Sequence, residues 1–168
     1  TNKTWIPASA GMTGVFRYSL LFLASCFMFH VSSVSASVLF FNPQNEIIGE
    51  EGETVVVEAR LDTENKTVNA IDAIMAFPSD IFEVVDVSRG DSVIKLWISD
   101  PVIDNVAGTV RLTGGIPNGG TYSAGLLARI TVLAKTAGQG KFTWAKSSQV
   151  LLNDGKGTPD MVSVLFTQ

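Results

Sequence analysis

Apolar residues are laid out in two textures along this chain. From Val15 to Val34 the sequence VFRYSLLFLASCFMFHVSSV is apolar on every side, whereas after Ala36 the apolar residues come in short runs broken by Gly, Asn, Asp and Pro. Runs of that length, punctuated at intervals of about ten residues, predict strands of an antiparallel sandwich or barrel. The segments with strand character are Ser37–Asn42, Thr54–Leu61, Val68–Phe77, Ile81–Val87, Val93–Ser99, Gly108–Leu112, Gly125–Ala134, Lys141–Ala145, Gln149–Leu152 and Met161–Gln168. Period-two alternation assigns faces within them. Val55, Val57, Ala59 and Leu61 are expected inside, as are Ile71, Ala73, Met75 and Phe77. The opposite face of Val68–Phe77 carries Ala70, Asp72, Ile74 and Ala76, less polar than solvent alone would require. Between strands, Thr113–Gly120 (TGGIPNGG) is expected to form no regular element, because its glycine pairs favour turns and positive φ. No helix of useful length and no internal repeat appears after Ala36, which predicts one all-β domain over 37–168.

The first texture has the anatomy of a secretory signal helix. Counting from Met12, Arg17 supplies the charged n-region, Tyr18–Phe29 the apolar h-region, and Val34-Ser35-Ala36 the small residues before a cut after Ala36. A membrane anchor would need about 20 apolar residues, and this run has about 12 before the serines begin. Leu23-Ala24-Ser25-Cys26 also fits a lipobox, in which Cys26 would be acylated and the domain held at a membrane. Residues 1–13 (TNKTWIPASAGMT) do not fit an n-region and look like translated intergenic repeat sequence, so the expected start is Met12 or later. Residues 1–36 are therefore expected to lie outside the fold, and the domain to work outside the cytoplasm, secreted or anchored at the cell surface.

Composition narrows the chemistry. The only His and the only Cys, His30 and Cys26, lie before the expected cut, and the domain that follows carries a net charge of −6. Without His there is no ordinary base for a Ser or Thr nucleophile, and without His and Cys no ordinary zinc site. An acidic domain lacking a basic stripe is a poor nucleic-acid binder. A carboxylate pair for glycoside hydrolysis stays open, but most of the acids fall in turns or on outward strand positions. Asn153, Asp154 and Asp160 gather in LLNDGKGTPD and are weak calcium candidates, although NDGKG between apolar runs is first of all a hairpin turn. Arg89-Gly90-Asp91, an adhesion tripeptide by letter, sits where a strand ends and reads as a turn. No other cofactor is implied. Of the tryptophans after Ala36, Trp144 alternates with Phe142 and both are expected in the core. Trp97 falls opposite Ile94, Leu96 and Ile98 and is expected to face outward, where a ring could anchor a partner.

The order of GETVVVEARL, VNAIDAIMAFPSD, NVAGTVRLTGGIPNGG and GLLARITVLAKTAGQGKF resembles a cohesin domain across residues 37–168. The resemblance implies a nine-stranded antiparallel β-sandwich with jelly-roll topology, related to carbohydrate-binding modules. It also implies protein–protein binding, since cohesins hold the dockerin modules of polysaccharide-degrading enzymes. Cohesins meet the dockerin helix with an Asn-x-Asp on the third strand. Aligning Phe77 with the aromatic residue of the following turn places Asp72 on the Asp position and Ala70 on the Asn position; Phe77-Pro78-Ser79 is one residue shorter than the usual turn. The expected function is thus an exported, non-catalytic module gripping a protein partner through Asp72, Ile74 and Trp97. A carbohydrate-binding module and a structural cell-envelope protein are the alternatives.

Overall fold

Alternating burial along Thr54–Asp62 and Val68–Ala76 sets the architecture. Val57, Ala59 and Leu61 of the first segment, and Ile71, Ala73 and Met75 of the second, are buried as expected. A computed structural model describes residues 1–2, 36–44, 46–160 and 162–164. The chain divides into two units, Thr1–Val34 and Ser35–Gln168. Of the first only Thr1 and Asn2 are described, so the expected signal helix and Cys26 lie outside the described residues.

In chain order the strands are β1 (Ser37–Asn42), β2 (Ile47–Gly49), β3 (Thr54–Asp62), β4 (Val68–Ala76), β5 (Phe82–Ser88), β6 (Leu96–Trp97) and β7 (Val102–Asp104). They continue with β8 (Thr109–Gly120), β9 (Gly125–Ala134), β10 (Gly138–Gly140), β11 (Thr143–Trp144), β12 (Gln149–Leu152), β13 (Pro159–Asp160) and β14 (Val162–Val164). One sheet has the order β14-β1-β3-β9-β5, and the other β13-β12-β4-β8-β6, with β11 also on β4 and β7 also on β8; β2 and β10 form a separate ribbon. Every pairing is antiparallel except β1 with β14. The described residues thus hold more segments than the nine strands expected. The surplus consists of edge pieces two or three residues long, such as β6, β7, β11 and β13.

Two expectations give way to the observed register. Residues 113–120 are not irregular: β8 runs through them, pairing Gly114 with Ile71 and Gly115 with Ala70. The register then jumps, so that Gly120 faces Val68 and Ile116–Gly119 bulge out, with positive φ at Asn118 and Gly119. Only that second half behaves as a turn. Conversely, the strand expected over Val93–Ser99 shrinks to Leu96–Trp97.

The core lies between the two larger sheets. Leu39, Val57, Leu61, Phe82 and Ile130 of one sheet meet Ile71, Met75, Val110, Leu112 and Val150 of the other in one buried cluster. Phe142 and Trp144 are buried as expected, with the Trp144 ring stacked on Phe41 at 4.5 Å. At the β5 edge the side chain of Asn105, in the turn after β7, ties the sheets together. Its Oδ1 accepts from the Val84 N–H at 2.8 Å and its Nδ2 donates to the Val84 carbonyl at 3.0 Å, satisfying backbone groups that an open edge would expose.

Candidate functional site

The outer face of the β12-β4-β8 sheet follows from alternation and register. With Ile71, Ala73 and Met75 turned inward, β4 presents Ala70, Asp72, Ile74 and Ala76 outward. Cross-strand pairing arranges them in rows: Leu151, Ala70, Gly115 and Leu96 in one, Gln149, Asp72 and Thr113 in the next, and Ile74, Arg111 and Val102 beyond. Ser148 supports the row of Ile74 where the pairing passes from β11 to β12. Its hydroxyl accepts from the Ile74 N–H at 3.0 Å, while the Ala145 N–H donates to the Ile74 carbonyl at 2.8 Å.

Asp72 is not a bare carboxylate. Arg111 donates to both of its oxygens, Nε to Oδ1 at 2.8 Å and Nη2 to Oδ2 at 2.6 Å, and the Thr113 hydroxyl donates to Oδ1 at 3.0 Å. The Arg111 bonds hold the Asp72 carboxyl below its usual range, against the opposing effect of partial burial. The face thus presents a fixed ion pair, with about half of the Arg111 side chain exposed. Arg111 went unnamed in the sequence, yet it sits outward between the apolar Val110 and Leu112, and that alternation carried the signal.

The other sheet faces outward with a different chemistry. Glu58 accepts from Asn42, Arg60 and Arg129, and these bonds, Asn42 and Arg60 foremost, lower its carboxyl against partial burial. Burial pushes the Asp160 carboxyl up, but Lys66 and Ser37 outweigh it and the net direction is down. Because the folded-state values of Glu58, Asp72 and Asp160 are all lowered, the stability they contribute is present above the unfolded values. It is lost as pH falls through the folded ones. The urea midpoint is therefore expected to hold steady at neutral pH and to fall below about pH 4, the ordinary carboxylate range. Asp72→Asn should reduce that acid slope; an unchanged slope would count against the Asp72–Arg111 pair as a stabilising contact.

Ile74 lies where the sequence placed it, outward and half-buried. Trp97 does not. Register pairs Trp97 with the inward-facing Gly114 and Leu96 with the outward-facing Gly115, so Trp97 packs against the core while Leu96 and Ile98 are 63% and 73% exposed. Arg89, paired with Asp100, lies over the Trp97 ring at 5.7 Å. Period two misled here because the phase flips inside the segment: Ile94 is buried while Leu96 and Ile98 are exposed, and only Leu96–Trp97 is strand. The exposed apolar group of this edge is Leu96. Beside it an open depression of about 350 Å³ is floored by Ala70 and Gly115 and rimmed by Leu96, Pro117, Asn118 and Asn153.

The weak calcium candidates have separate partners. Asn153 accepts from Asn69 Nδ2 and donates to the Asn118 carbonyl, Asp154 accepts from the Lys156 N–H and the Thr158 hydroxyl, and Asp160 binds Ser37 and Lys66. NDGKG forms the expected turn between β12 and β13, with positive φ at Gly155 and Gly157. The Arg89-Gly90-Asp91 turn likewise splits its charges, Arg89 to Asp100 and Asp91 to Arg129.

Two facing sheets, mostly of antiparallel strands, with small, apolar and ion-paired side chains on one outer surface define the class as a β-sandwich. Within that class the domain is cohesin-like in fold. It superposes on a non-cellulosomal cohesin from the archaeon Archaeoglobus fulgidus with a TM-score of 0.60 and 16% identity, over 77% of this chain and 86% of that one. The sixth cohesin of scaffoldin B from Acetivibrio cellulolyticus, solved with a dockerin, gives 0.58 and 16% over 78% and 95%. A type I cohesin–dockerin complex from Clostridium thermocellum gives 0.59 and 12% over 78% and 95%. At these identities the likeness is one of fold. No protein-family model matches the chain, and no curated protein matches it in sequence.

Proposed function

We propose that the domain is an exported, non-catalytic module that takes a dockerin-type protein partner on the outer face of β12, β4 and β8. The observation that carries this reading is the face itself. It presents Ile74, Ala70 and Leu96 beside the Asp72–Arg111 pair, whose two charges neutralise each other. Apolar groups framed by satisfied polar ones suit a protein interface, where desolvation of an unpaired charge would oppose docking. Stacking on a sugar ring calls for an exposed aromatic platform. Among the described residues every Phe, Tyr and Trp is buried or half-buried. Solved neighbours of the same fold are complexes with dockerins, which supports the same class of partner. Attachment within a cell-surface or polysaccharide-degrading assembly is the role that such a module would serve.

The test is to challenge the purified protein with a set of dockerin modules and, in parallel, a polysaccharide panel. Retention of a dockerin is expected, and Ile74→Asp should weaken it at least tenfold, about 1.4 kcal/mol, without shifting the melting curve. Retention of polysaccharide with no dockerin bound would overturn the proposal.

A further inference from the structure

The residue at which the sequence expects a leader to be cut is already held in place by a carboxylate. Ser37 is fully buried at the first position of β1. Its backbone N–H donates to Asp160 Oδ2 at 3.0 Å and its hydroxyl donates to the same oxygen at 2.7 Å. Oδ1 of Asp160 takes the Lys66 ammonium, and the Asp160 side chain is only 6% exposed. Asp160 is thus the charged group bonded to Ser37, and Lys66 is paired with its other oxygen. A carboxylate so withdrawn from water keeps its charge only through its donors, and here the Lys66 ammonium with the amide and hydroxyl of Ser37 outweighs the cost of burial.

We propose that the Ala36–Ser37 peptide bond is the processing site, and that Asp160 receives the α-ammonium of Ser37 as the N-terminal clamp of the mature domain. In the step, water adds to the Ala36 carbonyl under a protease of the leader-peptidase class. The C–N bond breaks, Ala36 leaves as a carboxylate, and the Ser37 nitrogen takes a proton to become the ammonium. That nitrogen stays where it is, so its 3.0 Å contact with Oδ2 becomes a charge-assisted bond at ordinary ion-pair distance. The geometry selects this bond over its neighbours. A cut after Ser37 would remove both donors to Oδ2. A cut before Ala36 would put the new charge on a residue outside β1.

The inference rests on the export reading and is independent of what the β4–β8 face binds. Its test is to express the full chain in an exporting bacterium and determine the N-terminus and intact mass of the product. A product beginning at Ser37 is expected. An exported product beginning elsewhere, including at an acylated Cys26, overturns the clamp alone; retention of the whole leader overturns export with it. On the Ser37 product, the α-amine should acetylate with acetic anhydride along a pH curve displaced upward from that of a free Ser37–Asn42 peptide. A displacement of about one unit above the ordinary α-amino range of about 7.7–8.0 is expected, with a return toward it in Asp160→Asn. Coincident curves for the wild-type protein and the peptide would overturn the pairing, whether or not the variant folds.

Discussion

Truncating Phe82 to alanine is expected to lower the unfolding free energy by about 3–5 kcal/mol, toward the upper end of what such truncations cost. Phe82 is 0% exposed at the start of β5, with its ring 5.7 Å from that of Phe142. The cost depends on how far the surroundings can relax into the space left behind, and part of what surrounds this ring is glycine backbone. A methyl built on Gly140 would come within 2.9 Å of the Phe82 ring, and one on Gly49 within 3.2 Å. These two glycines pair with other residues of the β2–β10 ribbon, which therefore closes over the ring with no side chains at those positions to collapse inward. Urea denaturation should show the loss as a lower midpoint at an unchanged slope. Ile48→Ser, on the exposed side of the same ribbon, should stay within about 0.5 kcal/mol of wild type. A loss below about 1.5 kcal/mol for Phe82→Ala would mean that the ribbon moves in to fill the cavity and is not a rigid enclosure.

What the sequence showed of this fold depended on how strongly each segment alternates. β3 and β4 have one apolar and one mixed face, so their approximate bounds and most of their inward residues could be read from period two alone. β2 and β10 could not be, since IIG and GQG are three residues each and carry no period. Their pairing brings the glycine backbone of Gly49 and Gly140 against the Phe82 ring. At the candidate site, the outward positions of Asp72 and Ile74 followed from the same alternation. The capture of Asp72 by Arg111 did not, because it depends on which residue of β8 stands beside β4, a register set by tertiary packing. Proximity in sequence misled in the opposite direction at Asn153, Asp154 and Asp160. A hairpin turn separates them, leaving Asp154 to brace the turn while Asp160 reaches the start of β1.

The glycines of TGGIPNGG mark the place where turn chemistry and close approach look alike in sequence and differ in structure. Gly114 has ordinary extended backbone, and what excludes a side chain is β6. A Cβ there would lie 2.4 Å from Ile94 Cγ2 and 2.7 Å from the Leu96 carbonyl oxygen. Gly114→Val is therefore expected to push β6 off the sheet, breaking the bonds from the Lys95 N–H to the Gly115 carbonyl and from the Ile98 N–H to the Thr113 carbonyl. The expected cost is about 1–3 kcal/mol from overpacking. Exposure of Trp97 follows, seen as increased fluorescence quenching by acrylamide, and so does loss of the Leu96 rim of the depression. Gly115→Ala is the counterpart on the outer face. Its new methyl would meet the Asn69 carbonyl oxygen at 3.5 Å and Leu96 Cβ at 3.8 Å, ordinary contacts. It should leave stability within about 0.5 kcal/mol while filling the floor beside Ala70. Adjacent glycines are thus expected to divide, one losing the fold at this edge and the other only the space a partner would enter. Equal melting curves for Gly114→Val and Gly115→Ala would show that β6 is free to move, and that its close approach to Gly114 is not what turns Trp97 inward.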